Sequence, residues 1–109
     1  YLTENSAHEV YSTQNPEEGQ LAVTRYRTVG HRGPYTLLEL NLATGRKNQI
    51  RVHLKDSGHP IVGDRRYGSD ESPIHRLALH ARTLRFVHPV TRRDMNFSCP
   101  LPASFSKLV

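Results

Sequence analysis

The most regular alternation of apolar and polar positions in this chain lies between residues 21 and 42. Residues 21–29, LAVTRYRTV, are rich in the β-branched and aromatic residues that favour strands. In the following run, YTLLELNL at 35–42, leucines at every second position share one face: Leu38, Leu40 and Leu42. The five residues between the runs, GHRGP, are typical of a hairpin loop. We therefore predict a β-hairpin with one buried face.

The apolar period changes from two to about four between residues 46 and 57. Ile50 and Leu54 are four residues apart, and Gly58 followed by Pro60 is a typical helix stop. This segment therefore predicts one helix of about three turns.

The remaining segments carry weaker signals. Residues 1–20 are polar and turn-rich, so we expect an irregular or displaced edge segment there, and residues 59–73, HPIVGDRRYGSDESP, are loop-like. Residues 76–87, RLALHARTLRFV, predict a long, bulged strand, MNFSC at 95–99 predicts a returning strand, and the last nine residues predict a short helical turn. Together they predict a one-core α+β fold, mainly antiparallel sheet with one central helix.

The charge balance indicates the class of partner. The chain has 109 residues, with Lys+Arg 15 against Asp+Glu 10, a formal net charge of +5 and a pI of about 9.8. This balance favours a polyanion, with nucleic acid ahead of an anionic membrane surface. No stretch approaches the ~18 consecutive apolar residues that span a bilayer, and no signal peptide is recognisable. We expect a soluble, cytoplasmic protein without a membrane partner.

Two single residues bear on the origin and chemistry of the chain. It begins at Tyr1 and its only methionine is Met95, so we expect that residues upstream have been removed. The single cysteine, Cys99, excludes an internal disulfide and a zinc site built on several thiolates. Because Cys99 alternates with Met95 and Phe97, we interpret it as a buried core thiol without a chemical role.

The predicted helix carries basic residues where its dipole already presents positive charge. Arg46 and Lys47 lie at its start, and Arg51 and Lys55 continue the pattern four residues apart. An anion docked at the helix start, such as a phosphate or a buried carboxylate, would resolve this conflict. The alternative is a solvated basic face. On a helical wheel Arg51 lies beside the apolar positions, so we predict that its guanidinium is buried and paired.

Two other groups of residues have competing interpretations. The seven histidines match no zinc motif, so we predict no metal site; His53 is interpreted as a hydrogen-bonded helix residue, and His59 and His88 as turn residues before proline. The run GDRRYG at 63–68 predicts a structured turn whose acid accepts hydrogen bonds from turn amides and whose tyrosine packs on the sheet. Arg65 and Arg66 would then meet phosphates of a nucleic acid.

Several of these motifs together resemble one known family. TGR at 44–46, QIRVHL at 49–54, GHPIVGD at 58–64 and YG at 67–68 are similar to the C-terminal signature of the RluA family of RNA pseudouridine synthases. The later stretches LALHA at 77–81, LRF at 84–86, HP at 88–89 and CPLP at 99–102 are similar to that family as well. One departure is Asn48, where the family more often has histidine, and asparagine retains the ability to donate and accept hydrogen bonds.

The resemblance implies an enzyme that isomerises uridine to pseudouridine in ribosomal or transfer RNA without a cofactor. An aspartate in an Arg-Leu-Asp-x-x-Ser/Thr-Gly motif does the covalent or charge-stabilising step in that family. None of the four aspartates here has that context: Asp56, Asp64, Asp70 and Asp94. The chain is then expected to be the C-terminal part of the catalytic domain, a fragment of its fold, with the nucleophile upstream and no activity alone.

The resemblance also implies roles for individual residues. Arg51 matches the position whose counterpart pairs with the catalytic aspartate, and Ile50 and Leu54 would form the wall of the site. The candidates for the RNA backbone are Arg46, Lys47, Arg65 and Arg66.

Two other functions fit the same residues. A non-catalytic RNA-binding module would explain the positive charge and the missing nucleophile equally well. A histidine-dependent nuclease with His53 and His80 as acid and base is a more distant alternative.

Overall fold

A computed structural model describes residues 1–68, 73, 74 and 76–108 of the chain. Within these residues it contains three antiparallel two-stranded sheets and two helices. In chain order the elements are β1 (Leu2–Glu4), β2 (Val10–Ser12), β3 (Thr24–Arg32), β4 (Tyr35–Leu42), α1 (Gln49–Asp56), β5 (Thr83–Val87), β6 (Asp94–Ser98) and α2 (Ala103–Leu108). The predicted α+β class with mainly antiparallel strands is confirmed, although the strands form separate hairpins and not one sheet.

Residues 2–12 form a hairpin, where the sequence predicted an irregular or displaced edge segment. β1 and β2 pair with Leu2 opposite Ser12 and Glu4 opposite Val10. The connecting turn is held by Asn5, whose side-chain oxygen accepts hydrogen bonds from the backbone amides of Ala7 and Glu9. Leu2 and Val10 are buried and form the core with Val52. Each strand buries a single apolar side chain, so its sequence shows no alternation.

The β3–β4 hairpin confirms the strongest sequence pattern but not the expected burial. β4 has the predicted bounds, whereas β3 begins and ends three residues later than predicted. Arg32 therefore pairs with Tyr35, and the turn is Gly33-Pro34, with Gly33 at φ 58°. The register shifts between Thr28 and Gly30, which is a bulge. Tyr26, on the supposedly buried face, is 70% exposed. The alternation identified which residues share a face, whereas burial requires a second layer that the described residues do not provide.

The helix α1 is shorter than predicted and packs on the first hairpin. It spans Gln49–Asp56, two turns, so Arg46 and Lys47 precede it. Asn48, immediately before the helix, has a left-handed backbone (φ 54°), a conformation that asparagine tolerates better than most residues. The side chain at the centre of the contact is Val52, which is only 1% exposed. Ile50 and Leu54, the predicted core positions, are half-buried.

The C-terminal part differs from the sequence prediction in two respects. Only residues 83–87 of the long predicted strand are extended as β5, and residues 77–82 form no strand. β6 is confirmed, and Phe97 stacks on Phe86 of β5 with ring centroids 5.9 Å apart. Cys99 is exposed, so its interpretation as a buried thiol was wrong for the same reason as the β4 leucines. Residues 69–72 of the predicted loop lie outside the described part of the chain.

The chain exposes more surface than a compact domain of its mass. Its accessible surface is 8163 Å², against about 6100 Å² expected for a folded monomer of this size. Its radius of gyration is 15.7 Å, against about 13 Å for a compact domain of similar length. No helix in the described residues combines the length and apolarity that a membrane crossing requires.

Candidate functional site

The best-defined polar contact of the molecule joins α1 to the turn after it. Arg51 donates from Nε to Oδ2 of Asp64 and from Nη2 to Oδ1, both at 2.9 Å. This is the bidentate geometry in which a planar guanidinium matches a carboxylate. Asp64 is 1% exposed, whereas the Arg51 side chain retains 24% of its surface. Arg51 is paired, as predicted, but it is half-buried and not buried, and its partner here is Asp64 of the same chain.

The backbone of the 61–64 turn brings Asp64 under the helix. The Asp64 amide donates to the carbonyl of Ile61, and Gly63 between them has φ 81°. A Cβ at Gly63 would collide with the carbonyl oxygen of Arg76. Glycine is therefore required here by backbone conformation and by space.

The charges of the pair stabilise each other. The hydrogen bonds from Arg51 hold the pKa of Asp64 below its ordinary value, against the opposing effect of burial, and the backbone amides of Tyr67 and Arg66 lower it further. The hydrogen bond to Asp64 in turn raises the pKa of Arg51. Both groups are consequently ionised at neutral pH.

Tyr67 covers the guanidinium and connects it to the first hairpin. The Arg51 Cζ atom lies 5.0 Å from the Tyr67 ring centroid, within cation–π range. The Tyr67 hydroxyl donates to the carbonyl oxygen of Val10 at 3.2 Å and accepts from Asn48 Nδ2 at 3.4 Å. The Tyr67 amide donates to Asp64, which confirms the predicted role of the turn acid. The Tyr67 side chain packs against the core cluster that contains Leu2 and Val10 of the first hairpin, which confirms its predicted packing on a sheet. The variant Asn48 thus retains a hydrogen bond.

Gln49 is a structural residue that the sequence interpretation missed. It is 3% exposed and uses all four of its hydrogen-bonding positions. Its Oε1 accepts from the Thr44 hydroxyl (2.7 Å) and the Arg46 amide (3.0 Å), and its Nε2 donates to the Val23 carbonyl (3.0 Å) and the Thr24 hydroxyl (2.9 Å). The side chain therefore fixes the start of α1 against the β3–β4 hairpin. A glutamine two residues before an arginine offered no periodic signal for this role.

The four predicted RNA-binding residues are exposed but lie in two different settings. Lys47 Nζ forms an ion pair with Glu4 at 3.1 Å, and Arg46 Nε donates to the carbonyl of Leu21 at 3.0 Å. Both line an open cleft of about 360 Å³ that also has carboxylates at its edge. Arg66 lies 6.0 Å from the Tyr67 ring and so belongs with the Arg51 cluster. Arg65 forms no ion pair with any residue that the structure describes.

His53, His80 and His88 each form hydrogen bonds through the imidazole ring. His53 Nδ1 lies 2.8 Å from the Thr24 hydroxyl, which confirms its interpretation as a hydrogen-bonded helix residue, and burial lowers its pKa. His80 Nε2 donates to the carbonyl of Cys99, and His88 Nδ1 accepts two amides of its own turn. His75 lies outside the described residues. Among those described, no three potential ligands converge on a metal site.

The residues that a nuclease would need are bonded to separate partners. His53 contacts β3, whereas His80 contacts Cys99 and the ring of Phe105 in α2. The described hydrogen bonds do not connect the two imidazoles.

Comparison with known proteins places these features in a family. Residues 1–56 match the family described as RNA pseudouridylate synthase. An uncharacterized RNA pseudouridine synthase of Bacillus subtilis is 45% identical over 92 residues, which cover 84% of this chain and 32% of the relative. One of Chloroflexus aurantiacus is 50% identical over 88 residues, covering 79% and 28%.

A relative with a more specific name is ribosomal large subunit pseudouridine synthase D of Pasteurella multocida. It is 41% identical over 105 residues, covering 84% of this chain and 32% of the relative. The chain thus spans about a third of the length of the curated relatives it matches. The family match includes the first hairpin, α1 and Arg51, and it agrees with the RluA-type motifs. The chain therefore belongs to the RNA pseudouridylate synthase family, as an RluA-type member.

Proposed function

We propose that the protein carrying this chain isomerises uridine to pseudouridine in RNA and that Arg51 is the basic partner of its nucleophilic aspartate. The observation that carries the proposal is the hydrogen bonding and exposure of the Arg51 guanidinium. Its Nε and Nη2 are bound to Asp64, while Nη1 has no hydrogen-bond partner among the described residues and the side chain remains partly exposed. One edge of a fixed cation is therefore open to a second anion.

This open edge suits a catalytic carboxylate. A guanidinium beside a carboxylate favours its ionised form, which is the form that can act as nucleophile or stabilise positive charge. In the proposed reaction the glycosidic bond of the flipped uridine breaks and the base is rejoined through carbon. Ile50 and Leu54, which are half-buried on the same helix as Arg51, would form the apolar wall. The proposed reaction needs no cofactor and no metal ion.

The nucleophile is proposed to lie outside these residues. None of the four aspartates of the chain follows Arg-Leu or precedes a Ser/Thr-Gly pair in the family spacing. Asp64, the aspartate that contacts Arg51, is buried and accepts hydrogen bonds from Arg51 and from the backbone amides of Tyr67 and Arg66, which leaves it no access to a substrate. We therefore propose that the 109-residue chain alone forms no pseudouridine.

The RNA backbone is proposed to contact Arg46, Lys47, Arg65 and Arg66. Their exposure and the net charge of +5 support phosphate binding. Lys47 must exchange Glu4 for a phosphate, which is feasible because solvent screens an exposed ion pair and leaves it weak. Ribosomal RNA is the first substrate to test, given the name of the Pasteurella multocida relative, with transfer RNA as the alternative. We propose a cytoplasmic location, where both RNAs occur.

The test is pseudouridine formation by the full-length gene product that carries these residues. Unmodified ribosomal and transfer RNA transcripts are incubated with the enzyme, and pseudouridine is mapped by carbodiimide modification and primer extension. We expect product with the wild-type protein and at least ~100-fold less with Arg51→Met, because an ion-pair partner of the reacting carboxylate is lost. Product formed by the 109-residue chain alone would contradict the proposal that the nucleophile lies outside these residues.

A non-catalytic RNA-binding module is the second candidate, supported by the basic charge and the absence of the aspartate motif. It predicts salt-sensitive RNA binding without pseudouridine. Each phosphate contact contributes about 0.7–0.9 to the slope of log K against log salt. Measuring this slope for wild-type and Lys47→Ala protein, alongside the product assay, distinguishes the two functions.

A further inference from the structure

The burial of the Arg51–Asp64 pair is unequal. Asp64 is 1% exposed, and its contacts are two N–H groups of Arg51 and the backbone amides of Tyr67 and Arg66. Arg51 is the partner that reaches the surface, with 24% of its side chain exposed. A buried ion pair is a poor source of stability, because apolar residues of similar volume often serve as well. The arrangement instead fixes the plane and direction of an accessible guanidinium.

A second contact restrains the same group from its face. Tyr67 lies 5.0 Å from the Arg51 Cζ atom and is itself anchored by hydrogen bonds to Val10 and Asn48. The guanidinium is thus held along one edge by Asp64 and over one face by Tyr67. Rotation about its last bonds would break both hydrogen bonds to Asp64. The direction of Nη1 is therefore set by Asp64.

We propose that Asp64 is a positioning residue: its carboxylate orients Arg51 so that Nη1 meets the nucleophilic carboxylate in a fixed geometry. This inference rests on the proposed function. A free arginine side chain loses rotamer entropy when it is ordered. Asp64 and Tyr67 impose that order before the substrate binds, which lowers the cost of assembling the reactive geometry.

The first test is Asp64→Asn in the full-length gene product. The amide retains the shape of the side chain but presents an NH₂ group to one guanidinium nitrogen, so the two-point contact is lost. We expect kcat to fall about 100-fold, the typical cost of a misplacement near 1 Å, with KM for RNA changed less than threefold. The matched control is Asp56→Asn, an exposed aspartate at the end of α1, which should retain wild-type kcat and KM.

A double variant separates positioning from a purely structural role. If Asp64 acts through Arg51, then Arg51→Met/Asp64→Asn has the same kcat as Arg51→Met alone. A further loss in the double variant, or an Asp64→Asn enzyme with undiminished kcat, would overturn the inference. Circular dichroism verifies that each variant is folded.

If Asp64→Asn fails to fold, Arg51→Lys decides the matter. Lysine keeps the charge opposite Asp64 but cannot form the two-point contact, so we expect at least a tenfold loss of kcat, and an undiminished kcat would overturn the inference. An inactive wild-type enzyme would overturn the proposed function and this inference with it. An active wild-type enzyme with an undiminished Asp64→Asn variant would overturn this inference alone.

Discussion

Removing Arg51 is expected to destabilise the protein more than neutralising Asp64, although both changes break the same ion pair. Arg51→Met leaves a carboxylate that is 1% exposed and has only backbone amides as donors. Breaking a buried pair in this way costs about 3–5 kcal/mol. Asp64→Asn leaves a guanidinium that is already partly exposed and can be hydrated. Its cost should be near that of lost charged hydrogen bonds, about 1.5–3 kcal/mol.

The stability lost in Arg51→Met should also depend on pH. In the wild-type protein the pKa of Asp64 lies below its ordinary value of 3.8, mainly through the Arg51 hydrogen bonds, so the stability that it contributes is present above that value and is lost as pH falls. In Arg51→Met, burial dominates and raises the pKa of the same carboxyl. Protonation at acid pH then removes the unpaired buried charge and reduces the loss of stability. The difference in free energy of unfolding between the wild-type protein and Arg51→Met should therefore shrink from pH 7 towards pH 4.

The measurement is urea unfolding of the full-length gene product at pH 7 and pH 4, followed by circular dichroism with the m-value compared between variants. Arg65→Met, which removes an exposed arginine of the same turn, is the control and should change the free energy of unfolding by less than ~0.5 kcal/mol. Two results would refute the reasoning. One is an equal loss of unfolding free energy in Arg51→Met and Asp64→Asn, and the other is a difference between wild-type protein and Arg51→Met that grows as pH falls.

Three further predictions concern residues that support the site. Gly63→Ala should lower the free energy of unfolding by about 2–4 kcal/mol, because the new Cβ meets a backbone carbonyl at a positive φ; Gly58→Ala, at a similar φ but in open space, should cost only ~1 kcal/mol. Gln49→Leu keeps most of the volume but removes four hydrogen bonds, so urea unfolding should show a loss of about 2–4 kcal/mol; a neutral effect would contradict its structural role. Burial lowers the pKa of His53 from 6.5, so its contribution to stability is present above that pH and is lost as pH falls through the lowered value. His53→Asn should therefore reduce the change in free energy of unfolding between pH 7 and pH 5. An unchanged pH dependence would show that another group is responsible for it.

Local sequence was sufficient for the elements whose physics is local. The β3–β4 hairpin and β6 follow from alternation, and the end of α1 follows from Gly58, which takes a positive φ there. The RluA-type resemblance also came from contiguous motifs, and the family match supports it. That Arg51 is paired, though not with which residue, followed from its place beside apolar helix positions. These features depend on neighbours within a few residues, which a linear pattern records.

The tertiary structure decided what depends on contacts between distant residues. The first hairpin is ordered because Leu2 and Val10 meet Val52, about forty to fifty residues away in the chain. Asp64 became the partner of Arg51 because the Gly63 turn folds back under α1. Gln49 acquired its four hydrogen bonds only when the start of β3 and the loop after β4 met at the start of α1. The alternating leucines of β4 carry the opposite lesson: periodicity states which side chains share a face, and only a packed second layer makes that face a core.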